Sequence, residues 1–319
     1  MHGLLLAIVV TIAVCLRLLW HPAPLASWQS RWWNALFSFL LPPMLLLSSA
    51  IAIVWMGPQG NMVHHCEGIV TYGLAIGFVG VAIAIAVERA LAAQSTLATL
   101  HQQPQLELQT TLQNEQHPYP ARLLNISLPF VAQMGFWKPT LVVSQGLLAT
   151  LDEPHLQAVL RHEQAHDYFH DTFWFFWFGW LRRLTAWLPH SQLLWQELLL
   201  LREIRADRWA RQTIDPLLLA EALLTLVQAA QRVETFSDET FSDNVAASNF
   251  VAASNFAVGL TTDTLVDRLD ERIDALLEGD AIVDDTQLPS GLTPLATWQP
   301  WIWSWLGLLP LLVIPFHHA

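Results

Sequence analysis

The string His162-Glu163-Gln164-Ala165-His166 holds the residues in this chain best suited to chemistry. On an α-helix, positions i and i+4 share a face, so two imidazoles at this spacing converge on one ion while the intervening carboxylate points at an adjoining water. With 13 His in 319 residues and glutamate equally frequent, chance produces this pattern with odds of about 0.02 even before a helix is required. Hydrolytic zinc sites commonly take three protein ligands and leave a fourth position for water, so a further ligand must come from elsewhere. Glu203, in the string EIRAD about forty residues downstream, is the candidate, and Asp207 lies one turn further along the same helical face. From there Asp207 can accept a hydrogen bond from a ligand imidazole and fix its tautomer. The cofactor expected is one Zn2+ per chain.

These residues need helices to carry them, and the local signals supply them. Pro154 in a first turn begins a helix to about His170, Ser191 caps one to about Arg211, and Asp215-Pro216 is a cap followed by Pro at the first helical position. Short β-prone runs precede them, Arg122 to Leu128, Phe130 to Met134 and Pro139 to Ser144, with Gly135 to Lys138 as a turn. The strand at Leu141 to Ser144 could offer an edge to which a substrate adds as a further strand. Gln94 to Pro120 reads as a polar linker, and a last helix covers about Thr264 to Leu277. Residues 234 to 256 hold two tandem duplications, ETFSD and VAASNF, a pattern of insertion-tolerant surface loops.

The rest of the chain is strongly apolar, with a mean hydropathy of +0.37 and 13% charged residues. Three stretches, about 4–20, 35–56 and 68–87, approach the roughly 20 residues that cross a bilayer, and Trp301 to Phe316 is a fourth. No basic residue precedes the first stretch and no small-residue cleavage site follows it, so it reads as an anchor instead of a signal peptide. Pro42 and Pro43 should kink the second, and Gly73, Gly77 and Gly80 give the third a close-packing face. The aromatic run Phe173 to Leu181 is too short to span and suits the membrane surface or packing against other helices. Trp28, Trp32 and Trp33, and again Trp298, Trp301, Trp303 and Trp305, read as interfacial belts.

The net charge of −12 falls almost entirely after residue 93, since Arg17, Arg31 and Arg89 outnumber Glu67 and Glu88 before it. That acidic balance excludes direct nucleic-acid binding, which needs a basic face, and the only lysine is Lys138. Cys15 and Cys66 are too few for a disulfide framework, and His64-His65-Cys66 reads as a solvated loop. Arginines flank the first connection and follow the third span, so the positive-inside tendency puts the domain on the cytoplasmic side with both termini outside.

Three segments carry a family resemblance. Pro139 to Asp171 (PTLVVSQGLLATLDEPHLQAVLRHEQAHDYFHD) resembles the strand, helix and HExxH block of the BlaR/MecR-type membrane peptidases and the related HtpX/Ste-type enzymes. Leu193 to Ala210 (LLWQELLLLREIRADRWA) resembles their segment with the third-ligand Glu, and Asp267 to Leu277 (DRLDERIDALL) is similar to the Arg-Ile segment that follows. The resemblance implies a gluzincin: His162, His166 and Glu203 as zinc ligands, Glu163 as general base and acid, and Arg272 as oxyanion stabiliser. HtpX-type enzymes place a His before the last segment that has no counterpart here. It further implies a mainly α membrane protein with three transmembrane helices in 1–93, an inserted α+β zincin-like metallopeptidase domain in 94–285 and a fourth transmembrane helix in 286–319. BlaR/MecR sensors continue into a penicillin-binding domain, which this sequence is expected to lack. The implied function is an integral-membrane zinc metalloendopeptidase, cutting a cytosolic or membrane-proximal protein, such as a transcriptional repressor, in regulatory proteolysis. The alternatives are an HtpX-like quality-control protease and a non-catalytic scaffold with structural zinc. A homo-oligomer is compatible with the sequence.

Overall fold

The computed structural model describes residues 2–22, 27–58, 65–112, 115–236, 257–260 and 268–277. The fourth apolar stretch, the tryptophans before it, His64 and the duplicated loop beyond Phe236 lie outside them. The described chain is mostly helical with one small mixed sheet, and it divides into two units.

The first unit comprises residues 1–88, 178–201 and 282–319. It contains α1 (His2–Leu19), α2 (Trp28–Met56) and the first two thirds of α3 (His65–His101). α2 and α3 are long and apolar enough to cross a membrane; α1, at 18 residues, is shorter. The exposed side chains of α3 include Ile69, Val70, Leu74, Val81 and Ile83, the inverse of a water-soluble helix surface. Val9, Ala13, Leu46 and Leu188 form one buried cluster, and Ala50, Ile53, Met56 and Ala75 another. Despite Pro42 and Pro43, α2 runs as one helix. Pro43 has no N–H for the carbonyl of Phe39, four residues earlier. The Nη2 of buried Arg17 donates to that carbonyl instead, at 3.3 Å.

The second unit comprises residues 89–177 and 202–281. Its sheet contains β1 (Gln105–Leu112), β2 (Glu115–Leu124), β3 (Val131–Met134), β4 (Thr140–Ser144) and β5 (Ala257–Leu260), in the order β1-β2-β4-β3-β5. Only β2 and β4 pair in parallel. The polar linker expected over Gln94 to Pro120 is therefore the end of α3 and a β-hairpin. Leu106 and Leu108 alternate with polar residues, the period-2 signal, and they pair with Ala121 and Tyr119. Pro118 and Pro120 are tolerated because the β2–β4 ladder begins only at Ala121. β4 is an interior strand, so it offers no edge to a substrate; β3 in turn is covered by β5.

Alternation along β3 separates the two faces of the sheet. Val131 packs towards α5 (Glu153–Tyr168) and α8 (Pro216–Phe236), with Leu147 of α4 (Gln145–Thr150), Leu156, Val159, Leu160, Leu219 and Leu223 in the same core. Ala132 and Met134 face the other way, against Leu97 and Leu100 of α3. α5 is capped by Asp152, whose side chain accepts from the His155 amide, with Pro154 in the first turn. α6 (Asp171–Leu184), α7 (Ser191–Ala210) and α9 (Leu269–Leu277) complete the described elements. Asp215 caps α8 through the Leu217 amide. The early part of the last expected helix, before Arg268, is outside the described residues.

Candidate metal centre

α5 turns its apolar side, Leu156, Val159 and Leu160, to the core; Glu163 continues that stripe, while His162 and His166 lie further round the helix, where Glu203 of α7 approaches them. All three are fully buried, and Glu203 of α7 is 2% exposed. The two imidazole Nε2 atoms lie 3.2 Å apart, and the Glu203 carboxylate approaches them at 3.3 Å (Oε2 to His162) and 3.8 Å (Oε1 to His166). Ligands about 2.1 Å from a tetrahedral zinc ion are about 3.4 Å from one another, so the triangle has the size of a metal site. His162, His166 and Glu203 could therefore hold a metal ion.

The outer contacts favour the same reading. His162 Nδ1 lies 2.7 Å from Asp207 Oδ1, and His166 Nδ1 lies 2.8 Å from Asp171 Oδ2. With both Nδ1 atoms engaged by carboxylates, the two Nε2 lone pairs face each other, an arrangement that repels unless a proton or a metal cation sits between them. Glu203 Oε2 is buried without a hydrogen-bond partner. Counting Glu163, Asp171, Glu203 and Asp207 against Arg202, Arg205 and Arg272, the cluster carries one excess negative charge when both imidazoles are neutral, so a divalent cation together with a hydroxide would leave it neutral.

The electrostatics of the metal-free chain follow from this. Burial lowers the pKa of His162, but Asp207 and Glu203 outweigh it and hold the imidazole up at about 9. His166 is likewise raised, by Glu203 and Asp171 against its burial. Burial alone would raise Glu203; Arg202 and the two histidines hold it well below the usual carboxylate range, so it stays an anion. Glu163 goes the other way. Burial raises its pKa, and both of its carboxylate oxygens lack a hydrogen-bond partner among the described residues. A carboxylate beside a cation site, desolvated and uncommitted, has the properties of a general base.

Each ligand imidazole is therefore backed by a carboxylate and each carboxylate by an arginine. Arg272, on α9, grips Asp207 with Nε and Nη2, both at 2.9 Å. Its Nη1 is 3.6 Å from Glu203 Oε2. The resemblance implied that Arg272 would donate to an oxyanion; its Nε and Nη2 are engaged by Asp207, while Nη1 has no hydrogen-bond partner among the described residues. On the other side Arg205 donates to Asp171, and Arg202 donates to Glu203 Oε1 at 2.8 Å from Nε. Asp171, the last residue of the first family-like segment, is 1% exposed. His170, with φ of 54°, takes the left-handed conformation that reverses the chain between α5 and α6 and returns Asp171 to His166. His155 stays apart, on Asp152 and Glu221.

Comparison of the chain with protein-family models, with curated proteins and with solved structures finds no match.

Proposed function

We propose that the chain is a membrane-integral zinc metalloendopeptidase of the BlaR/MecR-like gluzincin type. The observation that carries the reading is the pairing of a preformed His162, His166 and Glu203 triangle with a buried, uncommitted Glu163 carboxylate beside it. Zinc, when bound, polarises the scissile carbonyl and makes its water acidic near neutral pH. Glu163 takes the proton of the attacking water on a carboxylate oxygen and returns it to the leaving amine, for which its raised pKa suits it. Asp207 and Asp171, whose oxygens lie 2.7 and 2.8 Å from the two Nδ1 atoms, favour the Nδ1–H tautomers, which would leave both Nε2 atoms free to hold a metal.

A purely structural zinc has no use for such a base, which weighs against the scaffold reading. Glu163→Gln keeps the shape and removes the base, so zinc content should hold at wild-type level while cleavage of a protein substrate falls by at least about a hundredfold. Unchanged cleavage in that variant would remove Glu163 from the mechanism.

Two helices able to cross a bilayer support an integral-membrane location. The full reading has four spans, the domain on the cytoplasmic side and a cytosolic or membrane-proximal substrate such as a repressor, with arginine placement as its support. In a background with Cys15 and Cys66 replaced by Ser, Ser237→Cys should resist an impermeant thiol reagent in intact cells and react after lysis. Reaction before lysis overturns the sidedness and that substrate class. Broad cleavage across the proteome, instead of one or a few substrates, would favour the HtpX-like quality-control alternative.

A further inference from the structure

The second unit carries an aromatic surface that the metal centre does not use. Its foundation is the turn between β3 and β4. Gly135 has φ of 130°, and a Cβ there would lie 2.8 Å from the Lys138 carbonyl oxygen, so only glycine closes the turn this tightly. The turn projects Phe136 and Trp137 onto α6. Ring centroids are 4.9 Å apart for Phe136 and Phe176, 5.0 Å for Phe136 and Phe173, and 5.3 Å for Trp137 and Phe173. The stacking fixes the cluster's shape yet leaves Trp137 78% exposed, with Trp174 and Trp177 also on the surface.

The same cluster rests on α3. The Arg89 guanidinium lies over the Phe176 ring at 5.3 Å, and Ala93, Thr96 and Leu97 line a small cavity with Phe136 and Phe176. α3 is the helix whose apolar stretch can cross a bilayer, and Glu88 and Arg89 are its first charges after that stretch. At about 1.5 Å per residue, Ala93 to Leu97 lie roughly 6 to 12 Å beyond Arg89. A headgroup layer extends about 5 to 8 Å beyond the hydrocarbon on each side, so if the hydrocarbon ends at Arg89, Ala93 falls within that layer and Leu97 just past it. Tryptophan favours that layer because its ring is apolar and its N–H is wet. Lys138, the chain's only lysine, adjoins Trp137 and suits anionic headgroups.

We propose that Phe136, Trp137, Phe173, Trp174 and Trp177 form a lipid-binding surface that seats the catalytic unit in the headgroup layer of the bilayer crossed by α3. The proposal rests on the membrane-integral reading and fixes where the unit meets lipid.

Spin labels on the full chain in nanodiscs containing phosphatidylglycerol test it, in a background with Cys15 and Cys66 replaced by Ser. Labels at Lys138→Cys, Leu74→Cys and Glu153→Cys report the surface, the middle of α3 and solvent, through collision rates with oxygen and with a water-soluble nickel chelate. The expected result is a hydrocarbon signature at 74, an aqueous one at 153, and at 138 an oxygen-to-nickel ratio at least twofold above that at 153, lost when Trp137→Ser is added. An aqueous ratio at 138 with 74 in hydrocarbon overturns the surface alone. An aqueous ratio at 74 overturns the membrane reading and the surface together. A short label-to-label distance between two chains at 138, without oxygen contact, makes the patch a protein interface and overturns the lipid assignment.

Discussion

Arg272 and Arg17 are the two largest fully buried side chains among the described residues, at 1% and 0% exposure, and they are held in opposite ways. Arg272 faces the Asp207 carboxylate through two hydrogen bonds, with Glu203 beyond, and this raises its pKa in spite of burial. Arg17 has a backbone carbonyl and the face of Phe39, 5.5 Å from its guanidinium carbon, and its Nε and Nη1 have no partner among the described residues. The first arginine belongs to a chain of opposite charges that ends on a ligand imidazole. The second fills a backbone vacancy that Pro43 leaves in α2. A buried guanidinium by itself therefore indicates no function; what it is tied to does.

The difference is open to breaking, and the largest effect is expected at the metal centre. Arg272→Ala leaves the Asp207 carboxylate buried without its cation, which costs about 3–5 kcal/mol in comparable buried pairs. Thermal unfolding should show a large drop in Tm together with zinc loss, because His162 loses the carboxylate that orients it. A Tm within about 2 °C of wild type, with full zinc, would make the Arg272–Asp207 contact incidental.

Removing the other arginine should cost far less. Arg17→Met gives up one hydrogen bond, worth about 0.5–1.5 kcal/mol, but also relieves the burial of a charge that lacks a described acid partner. The net change in unfolding free energy should stay within about 1 kcal/mol, and in a Pro43→Ala background, where an N–H can serve the Phe39 carbonyl, it should shrink further. A loss of about 3 kcal/mol or more would reveal an acid partner for Arg17 among residues outside the described set.

The two regions also differ in how legible they were. HEQAH and EIRAD are short-range helical patterns, so spacing put His162, Glu163 and His166 on one helix and Glu203 with Asp207 on another, and the need for a third zinc ligand and the family resemblance joined the two. The helix start at Asp215 was readable because capping is local chemistry; α7 does begin at Ser191, but its hydroxyl donates to the Thr185 and Leu188 carbonyls and does not cap the helix. Asp171 was not readable, because it lies beyond the end of α5 and depends on the reversal at His170. The partnership of Arg272 with Asp207 spans 65 residues and no periodicity points to it. Gln105 to Pro120 falls in the stretch read as a linker, because its glutamines and prolines mask the alternation of Leu106 and Leu108. The interior position of β4 depends on the sheet order, which includes pairings no local run encodes. Arg17 over Phe39 joins two helices and likewise has no signature in sequence.

The most direct test of the central claim is the zinc content of the purified full chain beside its Glu203→Ala variant, by mass spectrometry of the metal. A three-ligand site predicts one zinc per wild-type chain and a loss of most of it in Glu203→Ala, since two imidazoles alone leave the ion half-coordinated. One zinc per chain retained in Glu203→Ala, or none in the wild-type protein after zinc loading, would contradict it.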